Sequence, residues 1–176
     1  MIDVPASIRA VDVRHLTRRF GSVAAVDDMT LAVRSGEIYG LLGSNGAGKT
    51  TLIKMLTTLL PPSEGDAFVA GASILDAPAE VRRRIGYVPQ MLSADGMLTG
   101  RENLVFSARL YDIPAGERSR RIDDALEFMQ LADAADRLVK TYSGGMIRRL
   151  ELAQASRHRP AWRVLAEPHT SRATRP

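Results

Sequence analysis

The sequence predicts an α/β fold in which a glycine-rich loop joins a buried strand to a helix. The apolar run from Ile38 to Leu42 is typical of a buried strand, and the glycine-rich residues 43–51 follow it directly. Apolar residues then recur at helical spacing until Pro61 ends the pattern. Elsewhere, residues 8–33 have the pattern of strands and residues 93–142 that of helices.

The composition narrows the class of protein. A length of 176 residues suits one domain, and 45% apolar with 25% charged residues indicates a globular chain. The net charge of +4 comes with arginines in short, scattered clusters, so we expect no nucleic-acid partner. The absence of cysteine excludes disulfides and thiolate metal sites. No apolar run reaches the length of a membrane span, and the first ten residues lack the apolar core of a signal peptide.

The glycine-rich loop fits the phosphate-binding pattern G-x-x-x-x-G-K-[ST]. Its residues are Gly43, Ser44, Asn45, Gly46, Ala47, Gly48, Lys49, Thr50 and Thr51. The glycines allow backbone N–H groups to approach phosphate oxygens closely, and Lys49 would reach the β- and γ-phosphates. The Thr50 hydroxyl is suited to bind Mg²⁺, and the helix that begins there adds its positive dipole end. Because a strand precedes the loop and a helix follows it, the motif predicts nucleotide binding rather than a chance turn.

The β-rich start is predicted from alternating apolar residues. It consists of a strand over residues 8–16, a turn over residues 18–22 that holds Phe20, and strands over residues 23–33 with a bend at Asp27 and Asp28. A short strand is expected at residues 67–70.

A helix and a second buried strand follow. Asp76 is the expected N-cap of a helix that ends at Arg84, with Pro78 in its first turn. Residues 85–88 are predicted as a buried strand that ends just before Gln90. A glutamine there could face a ligand at the edge of a sheet, but taken alone it is better explained as an ordinary loop residue.

Residues 93–142 are predicted to form an all-helical insertion. Thr99 and Glu102 make a capping box before a helix that ends near residues 112–114. A second helix is expected over about residues 117–130, and a third, short one over residues 134–139.

A last helix begins after Tyr142. Ser143 is suited to be its N-cap, and Gly144 and Gly145 leave the first N–H groups of the helix uncovered. This start could bind a second phosphate, although these three residues by themselves are equally typical of a plain capped helix.

Taken in order, these motifs resemble the ATP-binding subunits of ABC transporters over about residues 8–168. The loop at residues 43–51 matches the Walker A motif of that family, Gln90 its Q-loop and Phe20 the aromatic residue of its A-loop. Residues 142–146 resemble its signature motif, and the run up to Ala153 is similar to drug exporters of the daunorubicin-resistance type. The resemblance implies an α/β P-loop NTPase fold of ABC ATPase type. Such a fold has a RecA-like parallel-sheet core, an N-terminal antiparallel β subdomain and an inserted helical subdomain.

The resemblance also implies site residues, cofactors and partners. Phe20 would stack on adenine, and Gln90 would help to position Mg²⁺ and the attacking water. Ser143, Gly144 and Gly145 would contact the γ-phosphate of ATP bound by a second ATPase subunit in a head-to-tail dimer. The dimer would drive a separate membrane permease, and the chain would be cytoplasmic and peripheral at the inner face of the membrane.

The end of the chain departs from the family pattern. Glu167 is in register with the glutamate that polarises the attacking water, but Ala166 stands where the Walker B aspartate should hold Mg²⁺. Beyond Pro168 no D-loop and no switch histidine follow. We therefore expect a core that is incomplete at its C-terminus, from a truncated or frameshifted gene, with weak Mg-ATP binding and no efficient turnover. The DNA sequence that follows would test the frameshift.

The expected organisation is a single truncated domain. It comprises residues 1–92 as β subdomain and P-loop core, 93–142 as helical subdomain, 143–168 as signature helix and Walker B remnant, and 169–176 as an unmatched tail. Two other functions stay open. One is a non-hydrolysing remnant that only binds nucleotide or a partner subunit, and the other is a soluble ABC ATPase without a role in transport.

Overall fold

A computed structural model describes residues 9–89, 93–156 and 161–165. The chain divides into two units, residues 1–85 and residues 86–176. Within the described parts of both units, no helix is long and apolar enough to cross a membrane.

The first unit is built on a four-stranded sheet with the order β2-β1-β3-β4. Its strands and helices are β1 (Arg9–Phe20), β2 (Val23–Arg34), α1 (Lys49–Leu56), β3 (Glu64–Val69), β4 (Ala72–Ser73) and α2 (Pro78–Arg84). Every pairing is antiparallel, as predicted for this end of the chain. The buried side chains of β1 include Val11 and Val13, which are two residues apart and share one face of the strand, and Leu16, which follows a shift in register.

An irregularity in the β1–β2 pair lies at the predicted bend. Asp28 has a left-handed backbone with φ 44°, and the register between the two strands shifts on either side of Leu16. Opposite, His15 also has a positive φ of 49°, and its Nδ1 lies 2.8 Å from Asp28 Oδ1. The irregularity therefore lies where the sequence predicts a bend, three residues beyond Ala25 on β2.

Two local predictions for the first unit are wrong. Residues 38–42 do not form a buried strand: Ile38 is 99% exposed and Leu42 is 87% exposed. An apolar run becomes a buried strand only when neighbouring strands satisfy its edges, and no described strand pairs with this one. At α2 the N-cap is Ala77, without a side-chain hydrogen bond, rather than Asp76, although Pro78 begins the helix as predicted.

The described part of the second unit contains helices and a two-stranded sheet formed by β6 (Trp162–Leu165) and β5 (Ile85–Val88), whose first residue is the last of the first unit. Its helices are α3 (Gly100–Leu110), α4 (Ala115–Phe128) and α5 (Gly144–Ser156). They pack around one apolar cluster that includes Leu104, Leu126 and Leu150. The predicted third helix is wrong, since residues 132–134 and 139–141 are two separate 3₁₀ turns.

The capping box at the start of α3 is confirmed. The Glu102 N–H donates to Thr99 Oγ1 at 3.1 Å, and the Thr99 N–H donates to Glu102 Oε2 at 2.7 Å. These bonds hold the pKa of the Glu102 carboxyl below its ordinary value, chiefly through the Thr99 backbone N–H. A carboxylate in the first turn also suits the positive end of the helix dipole.

Candidate functional site

The phosphate loop lies against the sheet of the first unit, and one glycine makes that contact possible. Gly48 is the N-cap of α1 and has a left-handed backbone with φ 80°. A Cβ at this position would lie 2.1 Å from the Ala25 carbonyl oxygen on β2, closer than any side chain can approach. Gly46 has a similar φ of 85° but no neighbour within 4 Å of its Cβ position. The sequence pattern named both glycines, whereas only the structure shows that Gly48 is required by packing as well as by backbone conformation.

Lys49 is bound by the loop that precedes it. Its Nζ donates to the Gly43 carbonyl at 2.6 Å and to the Ser44 carbonyl at 2.9 Å. The ammonium is thereby held over the loop, where Ser44, Asn45, Gly46 and Ala47 are all exposed. A phosphate group that entered the loop could accept from this ammonium and from exposed backbone N–H groups, which is the chemistry the motif predicts.

Thr50 and Thr51 lie in the first turn of α1, with Thr50 exposed and Thr51 half-buried. The helix is held in place by Leu52, Met55 and Leu56, whose side chains are buried. Its N-terminus therefore points its dipole at the phosphate loop. For Mg²⁺, the described residues supply the Thr50 hydroxyl but no group of three acidic or histidine side chains. Among the described residues, the loop therefore offers a lysine ammonium for phosphate and the Thr50 hydroxyl for a metal.

Phe20 is the last residue of β1 and pairs with Val23 at the start of β2. Gly48 of the phosphate loop lies against Ala25, which is two residues beyond Val23 on β2. The strand pair therefore brings Phe20 and Gly48 to the same end of the sheet. The Phe20 ring is 48% exposed, and the Arg18 guanidinium lies 4.7 Å from its centroid. Arg18 in turn donates to the Pro61 carbonyl at 3.0 Å, which anchors the cation over the ring.

The second glycine-rich turn begins α5, and Ser143 is its N-cap as predicted. Its Oγ accepts a hydrogen bond from the Met146 N–H at 3.3 Å, and its carbonyl accepts from the Ile147 N–H at 2.9 Å. Ser143, Gly144 and Gly145 are all exposed. A Cβ at either glycine would meet no atom within 4 Å, and neither glycine has a left-handed backbone. The fold of this chain therefore does not require either glycine.

Tyr142 fixes this turn to the helical cluster. Its hydroxyl donates to the Ala134 carbonyl at 2.6 Å, and its side chain is 7% exposed. A Cβ at Gly100 would lie 2.3 Å from that hydroxyl oxygen, so the start of α3 is shaped to the tyrosine. Burial raises the pKa of the Tyr142 phenol, and the group stays a neutral donor at physiological pH. Sequence reasoning placed Tyr142 in the motif without this structural role.

Further along α5, three charged residues join the helix to its surroundings. Arg149 donates to the carbonyls of Met129 and Gln130, just beyond the end of α4. Arg148 and Glu151 form an ion pair in which the carboxylate is almost fully buried. Sequence reasoning missed this pair, although a glutamate between Leu150 and Leu152 in an otherwise apolar stretch is a recognisable signal.

The two expected catalytic residues lie outside the described part of the chain. Gln90 lies between the described residues Pro89 and Ser93, and Glu167 lies two residues beyond the end of β6. Their roles therefore stay predictions. The strand that leads to Glu167 is present, with Val164 buried and Arg163 exposed.

A groove of about 340 Å³ opens on the second unit. Its apolar lining includes Phe106, Leu110 and Tyr111, which are 59%, 65% and 39% exposed. Pro89, Ser93 and Glu151 also line it. Such a volume accepts one or two large apolar side chains, which makes the groove suited to a segment of another protein.

Comparison with known proteins gives one family. The profile of the ABC transporter family matches residues 26–170. The daunorubicin resistance ATP-binding protein DrrA2 of Streptomyces coeruleorubidus is 46% identical over 162 residues, and the match covers 92% of this chain and 50% of that protein. The daunorubicin/doxorubicin resistance ATP-binding protein DrrA of Streptomyces peucetius is 44% identical, with 92% and 49% covered. The chain thus spans about half the length of these relatives.

A solved structure agrees with the sequence matches. The ATP-binding subunit of an ABC transporter superposes with a TM-score of 0.80 at 28% identity, covering 92% of this chain and 67% of the other. The span matched by the family profile, residues 26–170, includes the phosphate loop and the turn before α5.

Proposed function

The chain belongs to the ABC transporter family, and from this membership we propose that it is the ATP-binding part of a drug exporter. Membership confirms the resemblance and the α/β fold of ABC ATPase type that the sequence predicts. The proposed activity is binding of Mg-ATP and its coupling to export through a separate permease. The resistance functions in the names of two relatives support the exporter.

The observation that carries the proposal is the built phosphate loop. Gly48 adopts a backbone that only glycine takes without strain, and Lys49 Nζ lies 2.6 Å from the Gly43 carbonyl. In the proposed complex Lys49 leaves the loop carbonyls for the β- and γ-phosphates, Thr50 binds the Mg²⁺ that accompanies ATP, and Phe20 stacks on the adenine. Mg²⁺ would offset negative charge on the phosphates when bound.

Binding of a fluorescent ATP analogue tests this assignment. Replacement of Lys49 by Ala should weaken the affinity at least about 30-fold, since the loop loses its only side-chain cation for phosphate. Lys54→Ala is the matched control, because Lys54 is an exposed lysine of the same helix beyond the first turn. Equal affinities for the wild type and K49A would contradict the proposal.

We propose further that hydrolysis by this chain alone is inefficient. Ala166 replaces the aspartate of the Walker B motif, and metal stabilisation of the transferring phosphoryl group is worth several kcal/mol, or roughly a hundredfold or more in rate. Ala166→Asp should then raise phosphate release while leaving the analogue affinity within about threefold. Efficient release by the wild-type chain would contradict this part of the proposal.

The turn at Ser143 to Gly145 is proposed to bind the γ-phosphate held by a second copy of the ATPase. Its exposed glycines have no role within the chain, and Ser143 and the first N–H groups of α5 face outward at a helix N-terminus. ATP-dependent dimerisation, measured by analytical ultracentrifugation, should be lost when Ser143 is replaced by Arg. The same substitution should leave the affinity of the monomer for the analogue unchanged.

The groove of the second unit is the proposed contact for the permease. Phe106 and Leu110 give it an exposed apolar lining that a membrane partner could cover. Phe106→Asp should reduce co-purification of the chain with the proposed permease. Phe128→Asp is the control, since Phe128 is 82% exposed on α4 and does not line the groove.

A further inference from the structure

Arg18 is a charged side chain of the first unit that the proposed function does not use. Its guanidinium carbon lies 4.7 Å from the centroid of the Phe20 ring, which is within the range of a cation–π contact. The adjacent Arg19 pairs with Asp27 at 3.0 Å and with Glu64 at 3.9 Å, whereas no carboxylate among the described residues pairs with Arg18. The positive charge of Arg18 is therefore directed at the ring and is not neutralised by an acidic partner in that part of the chain.

Hydrogen bonding satisfies this guanidinium only in part. Its Nη1 donates to the Pro61 carbonyl at 3.0 Å, but its Nε is buried and has no acceptor among the described residues. A buried donor without an acceptor lowers the stability of a fold, and an apolar side chain in its place would avoid that loss. Stability of the first unit therefore does not account for an arginine at this position, and the contact with the Phe20 ring remains as its explanation.

The bond to Pro61 joins the ring to the helix that begins at the phosphate loop. Pro61 follows Leu60, whose N–H donates to the Lys54 carbonyl in the last turn of α1 at 3.1 Å. The guanidinium of Arg18 thus contacts the Phe20 ring on one side and, on the other, the segment that is attached to the end of α1. Because the start of α1 carries the phosphate loop, these contacts fix the position of the ring relative to the helix of that loop.

We infer that Arg18 is a positioning residue of the nucleotide site, which holds the Phe20 ring by one face and leaves the other face for the base. The inference rests on the proposed function, in which Phe20 stacks on the adenine while Lys49 binds the phosphates. Phe20 is 48% exposed even with the guanidinium beside it, so much of the residue remains accessible to a ligand. A cation on one face also draws the π-electrons of the ring toward itself, which favours stacking of an electron-rich purine on the opposite face. Arg18 thus contributes to the affinity for the base and not to the affinity for the phosphates.

The test compares the affinity of the full chain for ATP with its affinity for inorganic tripolyphosphate, each with Mg²⁺ and each measured by isothermal titration calorimetry. Tripolyphosphate offers the loop its phosphates without a base. Arg18→Ala should weaken ATP binding about three- to tenfold and leave tripolyphosphate binding within about twofold of the wild type. Arg19→Ala is the matched control, because Arg19 is an exposed arginine that pairs with carboxylates, and it should leave both affinities unchanged.

A double variant shows whether Arg18 acts through the ring. Phe20→Ala should weaken ATP binding at least about tenfold and leave tripolyphosphate binding unchanged. The protein that carries both R18A and F20A should then bind ATP no more weakly than F20A does, because a cation without a ring to hold has no further effect. Additive losses in the double variant, or a loss of tripolyphosphate binding in R18A as large as its loss of ATP binding, would overturn the inference.

A conservative variant guards against a folding failure of R18A. Arg18→Gln keeps an N–H donor for the Pro61 carbonyl and removes the charge over the ring, so ATP binding alone should weaken about threefold. Wild-type ATP affinity in R18A, or in R18Q if R18A does not fold, overturns the role of Arg18 while the proposed function stands. An F20A protein that binds ATP as the wild type does would instead overturn the proposed role of Phe20, and the inference with it.

Discussion

The two glycine-rich turns of this chain resemble each other in sequence and differ in what their glycines do. Gly48 lies so close to the Ala25 carbonyl of β2 that a Cβ would overlap with it, and its backbone is left-handed. The fold of the first unit itself therefore requires glycine. Gly144 and Gly145 face open space in an ordinary helical conformation, so nothing in the second unit demands them. The difference separates a glycine required by folding from a glycine that only an external ligand could require.

The supports of the two turns differ as well. The phosphate loop is contacted by β2 and by Lys49, and the apolar segment before it, residues 38–42, is exposed except at the half-buried Leu41. The turn before α5 is anchored by the buried Tyr142 hydroxyl, and α5 itself is joined to the end of α4 by Arg149. Unfolding of the four-stranded sheet should therefore disrupt the phosphate loop before it disrupts the turn before α5.

The largest effect on stability is expected for Gly48→Ala. A left-handed backbone costs an ordinary residue about 1–2 kcal/mol, and the overlap with the Ala25 oxygen adds to this, so the free energy of unfolding should fall by roughly 2 kcal/mol or more. Urea denaturation followed by circular dichroism measures the loss. Gly46→Ala is the control, because it has a similar φ without the close contact. Equal losses for the two variants would mean that packing against β2 is unimportant.

Asp12 tests how far the first unit depends on its sheet. This buried carboxylate accepts from Arg9 at 2.8 Å and from Arg14 at 2.6 Å. Burial raises its pKa, but the hydrogen bonds from Arg14 and Arg9 outweigh that effect and leave the pKa below 3.8. Its stabilising contribution is therefore complete above pH 3.8 and is lost as the pH falls through the lowered pKa.

Asp12→Asn should accordingly lower the free energy of unfolding by about 1–3 kcal/mol at pH 7. The loss should become smaller as the pH falls from 3.8 through the lowered pKa of Asp12. The measurement is urea unfolding at a series of pH values. Asp123→Asn, which removes an exposed partner of Arg101 in the second unit, should cost no more than about 1 kcal/mol at any pH. A larger loss for D123N than for D12N would reverse the expected order of the two units.

Tyr142→Phe addresses the anchor of the second turn. Removal of the hydroxyl deletes the bond to the Ala134 carbonyl, which keeps the Arg137 N–H as a partner at 3.0 Å. The expected loss is therefore the net value of one hydrogen bond, about 0.5–1.5 kcal/mol in thermal or urea unfolding. Tyr39→Phe, at a tyrosine that is 51% exposed, is the control and should change stability less. A neutral Y142F would show that apolar packing alone holds the turn.

The smallest effect on stability, and one of opposite sign, is expected for Gly145→Ala. Alanine is favoured over glycine in a helix by up to about 1 kcal/mol, and its methyl group meets no neighbour here, so the free energy of unfolding should rise slightly. ATP-dependent dimerisation should nevertheless weaken at least tenfold, because the methyl group would occupy the approach of the phosphate. A stabilised variant that still dimerises normally would remove the proposed role of this turn.

The elements that the sequence predicted well are those with local causes. The capping box at Thr99 and Glu102, the N-cap at Ser143 and the glycines of the phosphate loop depend on residues a few positions apart, so their patterns are visible in the chain. The prediction of a third helix in the insertion was wrong because apolar residues at helical spacing fit two 3₁₀ turns equally well. The prediction of a buried strand at residues 38–42 was wrong because burial of a strand depends on partners that are distant in sequence.

The sequence by itself therefore determined the family and predicted the ligand class, since a phosphate loop and a signature turn are short, local and chemically specific. Only the tertiary structure showed that Gly48 has no room for a Cβ beside the Ala25 carbonyl and that the Tyr142 hydroxyl anchors the second turn. It also showed that Glu151 accepts a hydrogen bond from Ser93, 58 positions earlier in the chain. Such contacts join side chains far apart along the chain, and a linear pattern carries no record of their distances or burial.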